Sequence, residues 1–157
     1  MALITPQYGN RCPASKKSSR TGAGNKRIGT RPERLLIRSL KELKIYIYFP
    51  QKRIQGNPDI VFLKKKVVVF CDGDFWHGKN WKERQRKLKT GTNADYWVKK
   101  IEYNCLRDKK NNLLLKKQGW TVIRVWESSI IKQPLLIAQK ILEIINKKDN
   151  NNKIYKY

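Results

Sequence analysis

The chain has 157 residues, with 36 Lys and Arg against 12 Asp and Glu, and a formal net charge of +24. This length suits one domain with a single core, and the charge favours a polyanionic partner, most commonly nucleic acid. Three widely spaced cysteines exclude a disulfide framework and a Cys-x-x-Cys metal site, and no apolar run suits a membrane span or a secretory signal. These features indicate a reducing cytoplasm.

The first third of the chain contains a basic arm, a helix and a strand. Residues 1–29 mix Gly, Ser and Pro with scattered basic residues, so we expect a flexible arm that is either simply disordered or orders on DNA. Thr30, Pro32 and Glu33 suit the start of a helix. The apolar face of this helix contains Leu35, Leu36, Leu40 and Leu43. Residues 45–49 then resemble a strand.

Two apolar runs, residues 59–63 and 67–70, flank three lysines and predict a β-hairpin. If the turn centres on Lys65, Asp59 pairs with Cys71, and Asp72 lies alongside. Carboxylates that are distant in sequence then become neighbours, as a metal site requires. Because both runs are almost continuously apolar, we also expect a sheet that is covered on both faces.

The second half of the chain alternates helices with a strand. Residues 78–92 predict a basic loop, and Thr92 or Asn93 then caps a long helix that ends near Lys117. The apolar stripe of this helix contains Trp97, Ile101, Cys105 and Leu113.

Residues 120–126 predict a further strand, and Pro134 opens a last helix. The inward-facing residues predicted for this helix are Leu135, Ile137, Ile141, Ile144 and Ile145. Residues 30–147 therefore predict a single α/β domain with a mixed sheet flanked by helices, and residues 148–157 predict a polar tail.

The hairpin continues into the segment CDGDFWHG at residues 71–78. Carboxylates in so basic a protein point to a divalent metal that faces a phosphate. Asp59 is the best candidate ligand, and the backbone carbonyl of Cys71 is another. Asp72 and Asp74 are further candidates, because alternate residues of an extended segment face one side. Any one of these Asp residues taken alone is better explained as a turn residue, but the convergence of Asp59 with Asp72 across the hairpin favours the metal site.

Three other residues of this segment have two interpretations each. His77, the only histidine, is either a surface or core residue or a general acid or base near neutral pH. Phe75 and Trp76 are either core residues or wedges that enter a base step.

Six segments in a fixed order are strongly specific together, although each is weak alone. They are TRPE at 30–33, GxPD at 56–59, DGxFWHG at 72–78, TNxxYW at 92–97, KIxxNxxRD at 100–108 and GWxVxxVWE at 119–127. With these segments the chain resembles the very short patch repair (Vsr) endonucleases, a branch of the PD-(D/E)XK nuclease superfamily. The resemblance implies a restriction-endonuclease-like fold.

The resemblance also implies a magnesium-dependent enzyme that nicks one strand of double-stranded DNA beside a thymine–guanine mismatch. Asp59 would be the essential metal ligand, and Cys71 would contribute its carbonyl. Asp72 lies where the best-studied members carry a catalytic histidine, and His77 lies at a second catalytic position. Glu33 would be an acid near the active site.

DNA contacts follow from the same resemblance and from charge. Phe75, Trp76 and Trp97 fall on aromatic residues that intercalate at the mismatch. Basic residues expected to contact phosphates are Lys79, Lys82, Arg84 and Arg86. Many family members also bind a structural zinc, but the corresponding positions here hold Asp74, Lys79, Trp81 and Ser128. We therefore expect no zinc.

Two rival interpretations remain open from the sequence. One is a restriction or defence nuclease of the same fold, and the other is a non-catalytic basic DNA-binding module. Strand nicking suits a monomer. A cytosine methyltransferase or a mismatch-repair factor is an open possibility as a protein partner.

Overall fold

The computed structural model describes residues 4–7, 29–45, 47, 54–147 and 153–157. Most of the predicted arm, most of the predicted strand at 45–49 and the first part of the predicted tail lie outside the described residues. Within the described ranges, no helix is long and apolar enough to cross a membrane.

A four-stranded mixed sheet lies at the centre, with the strand order β1-β2-β3-β4. Its strands are β1 Ile60–Phe62, β2 Val67–Asp72, β3 Thr121–Trp126 and β4 Ile154–Lys156. β1 pairs antiparallel with β2, whereas β3 is parallel to both β2 and β4. The last strand is a difference from the prediction, since the end of the predicted polar tail pairs with β3.

Helices cover both faces of this sheet. They are α1 Arg31–Glu42, α2 Trp81–Lys89, α3 Ala94–Lys117, α4 Glu127–Lys132 and α5 Pro134–Asn146. Thr30 caps α1 and Glu33 lies in its first turn, which confirms the predicted start of this helix.

The two faces of the sheet carry separate apolar cores, because successive strand residues point to opposite sides. On one face, β2 and β3 contribute residues such as Val69 and Ile123 to a core shared with α1 and α5. On the other face, Val68 and Val122 pack with Leu115 of α3. The predicted α/β fold with a mixed sheet flanked by helices is therefore confirmed.

The hairpin between β1 and β2 has a register one residue away from the prediction. Ile60 pairs with Val69, and the Asp59 amide donates to the Val69 carbonyl at 3.0 Å. The predicted ladder pairing of Asp59 with Cys71 is therefore wrong. The turn is asymmetric, because a short 3-10 helix is followed by Lys66 in the left-handed conformation, with φ 50°.

Two further differences concern the helices. Much of the predicted loop at 78–92 is the helix α2, which packs on α3 and has no buried residue. In α3, Leu113 is 58% exposed, and Leu115 is the buried residue at that end. Leu135 at the start of α5 is also exposed, whereas Ile141 is buried as predicted.

Candidate active site

A cleft of about 490 Å³ opens where β2 and β3 end, beside the first turn of α1 and the middle of α3. The carboxyl ends of strands are a common place for ligand sites in α/β proteins. The predicted site residues that line the cleft are Glu33, Asp59, Cys71, Asp72, Trp76 and His77. Asp108, Arg107 and Arg124 join them there.

Asp59 lies just before β1, and its carboxylate reaches across to β2. There the Cys71 amide donates to Oδ2 at 2.6 Å. Burial raises the pKa of Asp59 to about 7; the Cys71 amide opposes this shift, and the Glu33 and Asp72 carboxylates add to it. A cation placed beside Asp59 would relieve this concentration of negative charge.

Cys71 lies in β2, and the group that it offers to the cleft differs from that of Asp59. Burial raises the pKa of its thiol well above the usual range, and the nearby Asp59 carboxylate raises it further. The sulfur therefore stays protonated at neutral pH. Because only a thiolate is a good metal ligand, the backbone carbonyl remains the candidate donor of this residue.

Glu33 is placed in the cleft by the capping of α1. Its Oε2 accepts a hydrogen bond from the Gly29 amide at 2.8 Å, and its Oε1 accepts one from the Thr30 hydroxyl at 2.7 Å. The Glu33 amide in turn donates to the Thr30 hydroxyl at 3.4 Å, so the arrangement resembles a capping box in which the carboxylate accepts from the Gly29 amide instead of the Thr30 amide. Since both carboxylate oxygens are engaged, Glu33 acts on Asp59 through its charge.

Asp72, the last residue of β2, has a different partner. Arg124 on β3 donates to both of its oxygens, from Nε at 2.6 Å and from Nη2 at 2.6 Å. Asp72 is 2% exposed and Arg124 is 4% exposed, so this ion pair is fully buried. A bidentate guanidinium occupies the directions in which Asp72 would bind a metal.

His77 lies between two acids on the loop that follows β2. Its Nδ1 is 2.5 Å from Oδ2 of Asp108 and 3.6 Å from Oδ1 of Asp72. Burial alone would raise the pKa of Asp108, but the His77 hydrogen bond and the Arg124 cation hold it below its usual range. Asp108 is thus a carboxylate that accepts from Nδ1, and proton exchange with a substrate falls to Nε2.

The loop is also tied to α3 through its backbone. The Asn104 side chain donates to the Trp76 carbonyl at 3.0 Å, and the Cys105 thiol donates to the His77 carbonyl at 3.5 Å. These bonds hold the backbone of His77 next to the helix that carries Asp108.

Asp74 points away from Asp59. Its Oδ2 lies 3.3 Å from Nζ of Lys79, and its Oδ1 accepts from the Ser128 amide at 3.3 Å. Lys79 also donates to the Ser128 hydroxyl. Asp74, Lys79 and Ser128, which occupy three of the zinc positions named in the sequence analysis, are therefore connected by polar contacts. The expected absence of zinc stays a prediction, which metal analysis of the purified protein would test.

The three predicted DNA-contacting aromatic residues form one cluster. Phe75 and Trp76 meet edge to face with centroids 5.0 Å apart, and Trp97 lies 5.9 Å from each of them. All three are half-buried rather than enclosed in either core. Trp97 is at the start of α3, so helix and loop meet at this cluster.

The four predicted phosphate-contacting residues divide into two groups. Lys82 and Arg86 are exposed on α2. Lys79 is engaged with Asp74, and the Arg84 guanidinium lies over the Phe75 ring at 5.5 Å. Arg107 adds a cation inside the cleft, with a side chain that is 43% exposed.

Sequence reasoning did not assign Arg107, Asp108 or Arg124 to the site. Arg124 lies within an otherwise apolar strand. Its only signal in the sequence is that it follows Val122 by two residues, so both side chains point to the face of the sheet that α3 covers. Asp108 is part of the quoted KIxxNxxRD segment and lies a helical turn after Asn104, on the face of α3 that meets the loop.

Comparison with known proteins identifies relatives of this chain. Residues 13–83 match the family model described as DNA mismatch endonuclease Vsr. The chain is 35% identical to the type II nicking enzyme V.NmeDIP of Neisseria meningitidis serogroup C, covering 98% of this chain and 96% of that protein. It is 36% identical to the type II nicking enzyme V.HpaIIP of Haemophilus parainfluenzae, over 92% and 96% respectively.

A third relative is the DNA mismatch endonuclease Vsr of Escherichia coli (strain K12), at 29% identity over 57% of this chain and 56% of that protein. The matches to the nicking enzymes run almost from end to end, so they include the whole cleft. The chain therefore belongs to the Vsr family and is a DNA endonuclease.

Proposed function

We propose that this endonuclease nicks one strand of duplex DNA beside a thymine–guanine mismatch and depends on Mg²⁺. The observation that carries the proposal is the pairing, within one cleft, of two features: the half-buried Asp59 carboxylate, which has no salt bridge among the described residues, and the His77–Asp108 couple. The first group suits a metal that faces a phosphate, and the second suits proton transfer.

The donor set fits Mg²⁺ better than a metal that needs many side chains. No group of three or more His, Cys, Asp or Glu side chains in the described ranges could hold a metal ion. Mg²⁺ usually keeps several waters and takes only one or two carboxylates from the protein. Asp59 and the Cys71 carbonyl would hold it, and it would supply Lewis-acid activation of the phosphate and of the attacking water.

The protein's own part in the reaction is proton transfer and charge placement. His77 exchanges a proton through Nε2, while Asp108 keeps the ring oriented through Nδ1. Arg107, which is partly exposed in the cleft, is placed to contact the DNA backbone. These groups approach the scissile phosphate from the α3 side.

The aromatic cluster of Phe75, Trp76 and Trp97 gives the mismatch preference in this proposal. A thymine–guanine wobble pair stacks less well than a matched pair, so a wedge opens that step at a lower cost. Exposed cations of α2, such as Lys82 and Arg86, supply affinity that does not depend on sequence. The enzyme acts as a monomer on cytoplasmic DNA.

A second candidate is a nicking nuclease of a restriction or defence system that does not need a mismatch. It is supported by the names of the two relatives described as type II nicking enzymes, which match almost the entire chain. The cleft is compatible with both functions, because the chemistry of strand cleavage is the same.

The test uses matched and thymine–guanine duplexes of one sequence, each labelled on either strand. They are incubated with Mg²⁺ or with EDTA and resolved on a denaturing gel. Nicking of one strand of the mismatched duplex alone, with Mg²⁺ alone, is the expected result. Equal cutting of both duplexes would support the restriction function, and cutting of neither would contradict the proposed function.

A further inference from the structure

Arg124 is a buried cation with an unusual number of acidic and aromatic neighbours. It donates to Asp72 from two nitrogens at 2.6 Å each, and Nη2 lies 3.1 Å from Oδ2 of Asp108. Nη1 donates to the Asn112 side chain at 3.1 Å, and the guanidinium lies over the Phe70 ring at 4.7 Å. β2, β3 and α3 are therefore joined at one side chain.

This environment shows that Arg124 contacts neighbouring side chains and is not exposed to contact DNA. With 4% of its side chain exposed, the guanidinium is covered by Asp72, Asn112 and Phe70. The Asp72 hydrogen bonds raise the pKa of Arg124 in spite of its burial, so the group stays charged and transfers no proton at any working pH.

We propose that Arg124 is a positioning residue that divides the acids of the cleft into two sets. It retains Asp72 and Asp108 in a buried ion network that orients His77, and it leaves Asp59 outside this network and available to a divalent cation. The inference rests on the proposed metal-dependent function and assigns Asp72 a role other than the metal ligation that the sequence suggests.

The first step concerns the metal. A carboxylate binds Mg²⁺ through oxygen lone pairs, and both oxygens of Asp72 already accept short, charge-assisted bonds from Arg124. Asp59 has one such bond, from the neutral Cys71 amide, and keeps its other oxygen for a cation. The two acids are therefore not equivalent ligands, although both line the cleft.

The second step concerns the histidine. Oδ2 of Asp108 is shared between His77 Nδ1 at 2.5 Å and Arg124 Nη2 at 3.1 Å. The guanidinium thereby fixes the carboxylate that fixes the imidazole ring, and outer partners of this kind set which ring nitrogen carries the proton. Nη2 also lies 3.4 Å from Nδ1 of His77, so Arg124 acts on the reaction through Asp108 and through the ring itself, without touching the substrate.

The first experiment measures Mn²⁺ binding to metal-free protein by the loss of the free-ion EPR signal, without DNA. Asp59→Asn should lower the affinity by at least about tenfold, whereas Asp72→Asn should leave it within about twofold of the unmodified protein. An equal loss in both variants would overturn the division of the acids.

Asp72→Asn leaves a buried guanidinium partly unpaired and is the variant most at risk of failing to fold. The double variant Asp72→Leu/Arg124→Met removes both charges of the ion pair, a replacement that buried pairs often tolerate. Its Mn²⁺ affinity should also match that of the unmodified protein, and a loss equal to that of Asp59→Asn would contradict the proposal.

The second experiment uses His77 as a spectroscopic probe, because it is the only histidine in the chain. Ring ¹⁵N shifts should show the Nδ1–H tautomer in the unmodified protein and a mixture of tautomers in Arg124→Met. Nicking by Arg124→Met should lose kcat at a nearly constant KM for DNA, and Arg124→Lys should recover part of both effects. An unchanged ring spectrum and kcat in folded Arg124→Met would overturn the positioning role.

The binding and ring measurements need no DNA, so they separate the two proposals. A protein that shows the expected Mn²⁺ and tautomer results but nicks no duplex contradicts the proposed function alone. A protein that nicks the mismatched duplex but loses Mn²⁺ on Asp72→Asn contradicts the division of the acids alone.

Discussion

Two neighbouring residues of the cleft, Asp59 and Asp72, carry the same kind of side chain in different electrostatic conditions. Asp59 is half-buried near Glu33, has no salt bridge in the described part of the chain, and has a pKa raised to about 7. Asp72 is more deeply buried but is held by the bidentate Arg124. The difference teaches that burial alone does not make an acid reactive. A buried carboxylate without a cationic partner is one that is ready to accept a cation.

The largest expected effect is on cleavage by Asp59→Asn. An amide keeps the size of the side chain but lacks the charge that a divalent cation needs, so nicking should fall by at least about 10³-fold. Binding of duplex DNA should remain, because the affinity depends on cations elsewhere. Gel-based nicking and fluorescence-anisotropy binding with the same duplex check both statements. Normal nicking by the folded variant would place the metal elsewhere.

A second test of the comparison is the stability of the metal-free protein against pH. The folded protein keeps the Asp59 proton up to about pH 7, whereas the unfolded chain loses it near the ordinary Asp pKa of 3.8. Between these pH values the folded state holds the additional proton, so stability should fall as the pH rises, by on the order of 4 kcal/mol at most.

Urea unfolding at several pH values, with chelator present, measures this dependence. Asp59→Asn should remove most of it and should be more stable than the unmodified protein at pH 8, with little difference near pH 4. Mg²⁺ should stabilise the unmodified protein at pH 8 but not the variant. A stability that does not change with pH in the unmodified protein would show that the pKa of Asp59 is not raised in the folded state.

His77→Gln sharpens the other side of the comparison. The variant keeps a hydrogen-bonding side chain beside Asp108 but cannot exchange a proton, so kcat should fall by about 10²- to 10³-fold. Mn²⁺ affinity should be unchanged, in contrast to Asp59→Asn. Single-turnover nicking and the EPR titration measure the two properties. A fall in Mn²⁺ affinity would move His77 to the metal side of the cleft.

The smallest expected effects separate recognition from affinity. Trp76→Ala should reduce the preference for the mismatched duplex by about tenfold with a smaller loss of affinity for the matched duplex, because stacking gives about 1–3 kcal/mol per base. Lys82→Ala, the control on exposed α2, should weaken both duplexes together and lower the salt dependence of binding. Full discrimination by a folded Trp76→Ala protein would place the aromatic cluster in a purely structural role.

The sequence predicts the parts of this structure that depend on local pattern. Apolar runs around three lysines identify the β1–β2 hairpin, and Thr30 with Glu33 identifies the start of α1, because these signals lie within a few residues of each other. α2 is missed because almost all of its surface is charged and none of its residues is buried. Its support includes an i,i+4 pair of Glu83 with Lys87 at 2.8 Å.

The division of the acids could not be predicted in the same way. Asp72 and Arg124 are 52 positions apart, and His77 and Asp108 are 31 apart. Their contacts depend on the parallel pairing of β2 with β3 and on the rotation of α3 about its axis. Neither the strand pairing nor the helix rotation can be obtained from a single sequence. A pattern of acids identifies a candidate site, whereas the identity of each partner comes from the tertiary arrangement.

The tight packing at Gly78 restricts how this loop can vary among related enzymes. Gly78 has φ +71°, and a Cβ built there would lie 2.8 Å from the Cys105 sulfur. A library that randomises position 78 alone should therefore return almost only glycine. Changing Cys105 to alanine would clear the space but not the backbone restriction, so asparagine is the next residue expected. The identities of Gly78 on the loop and Cys105 on the neighbouring helix therefore constrain each other.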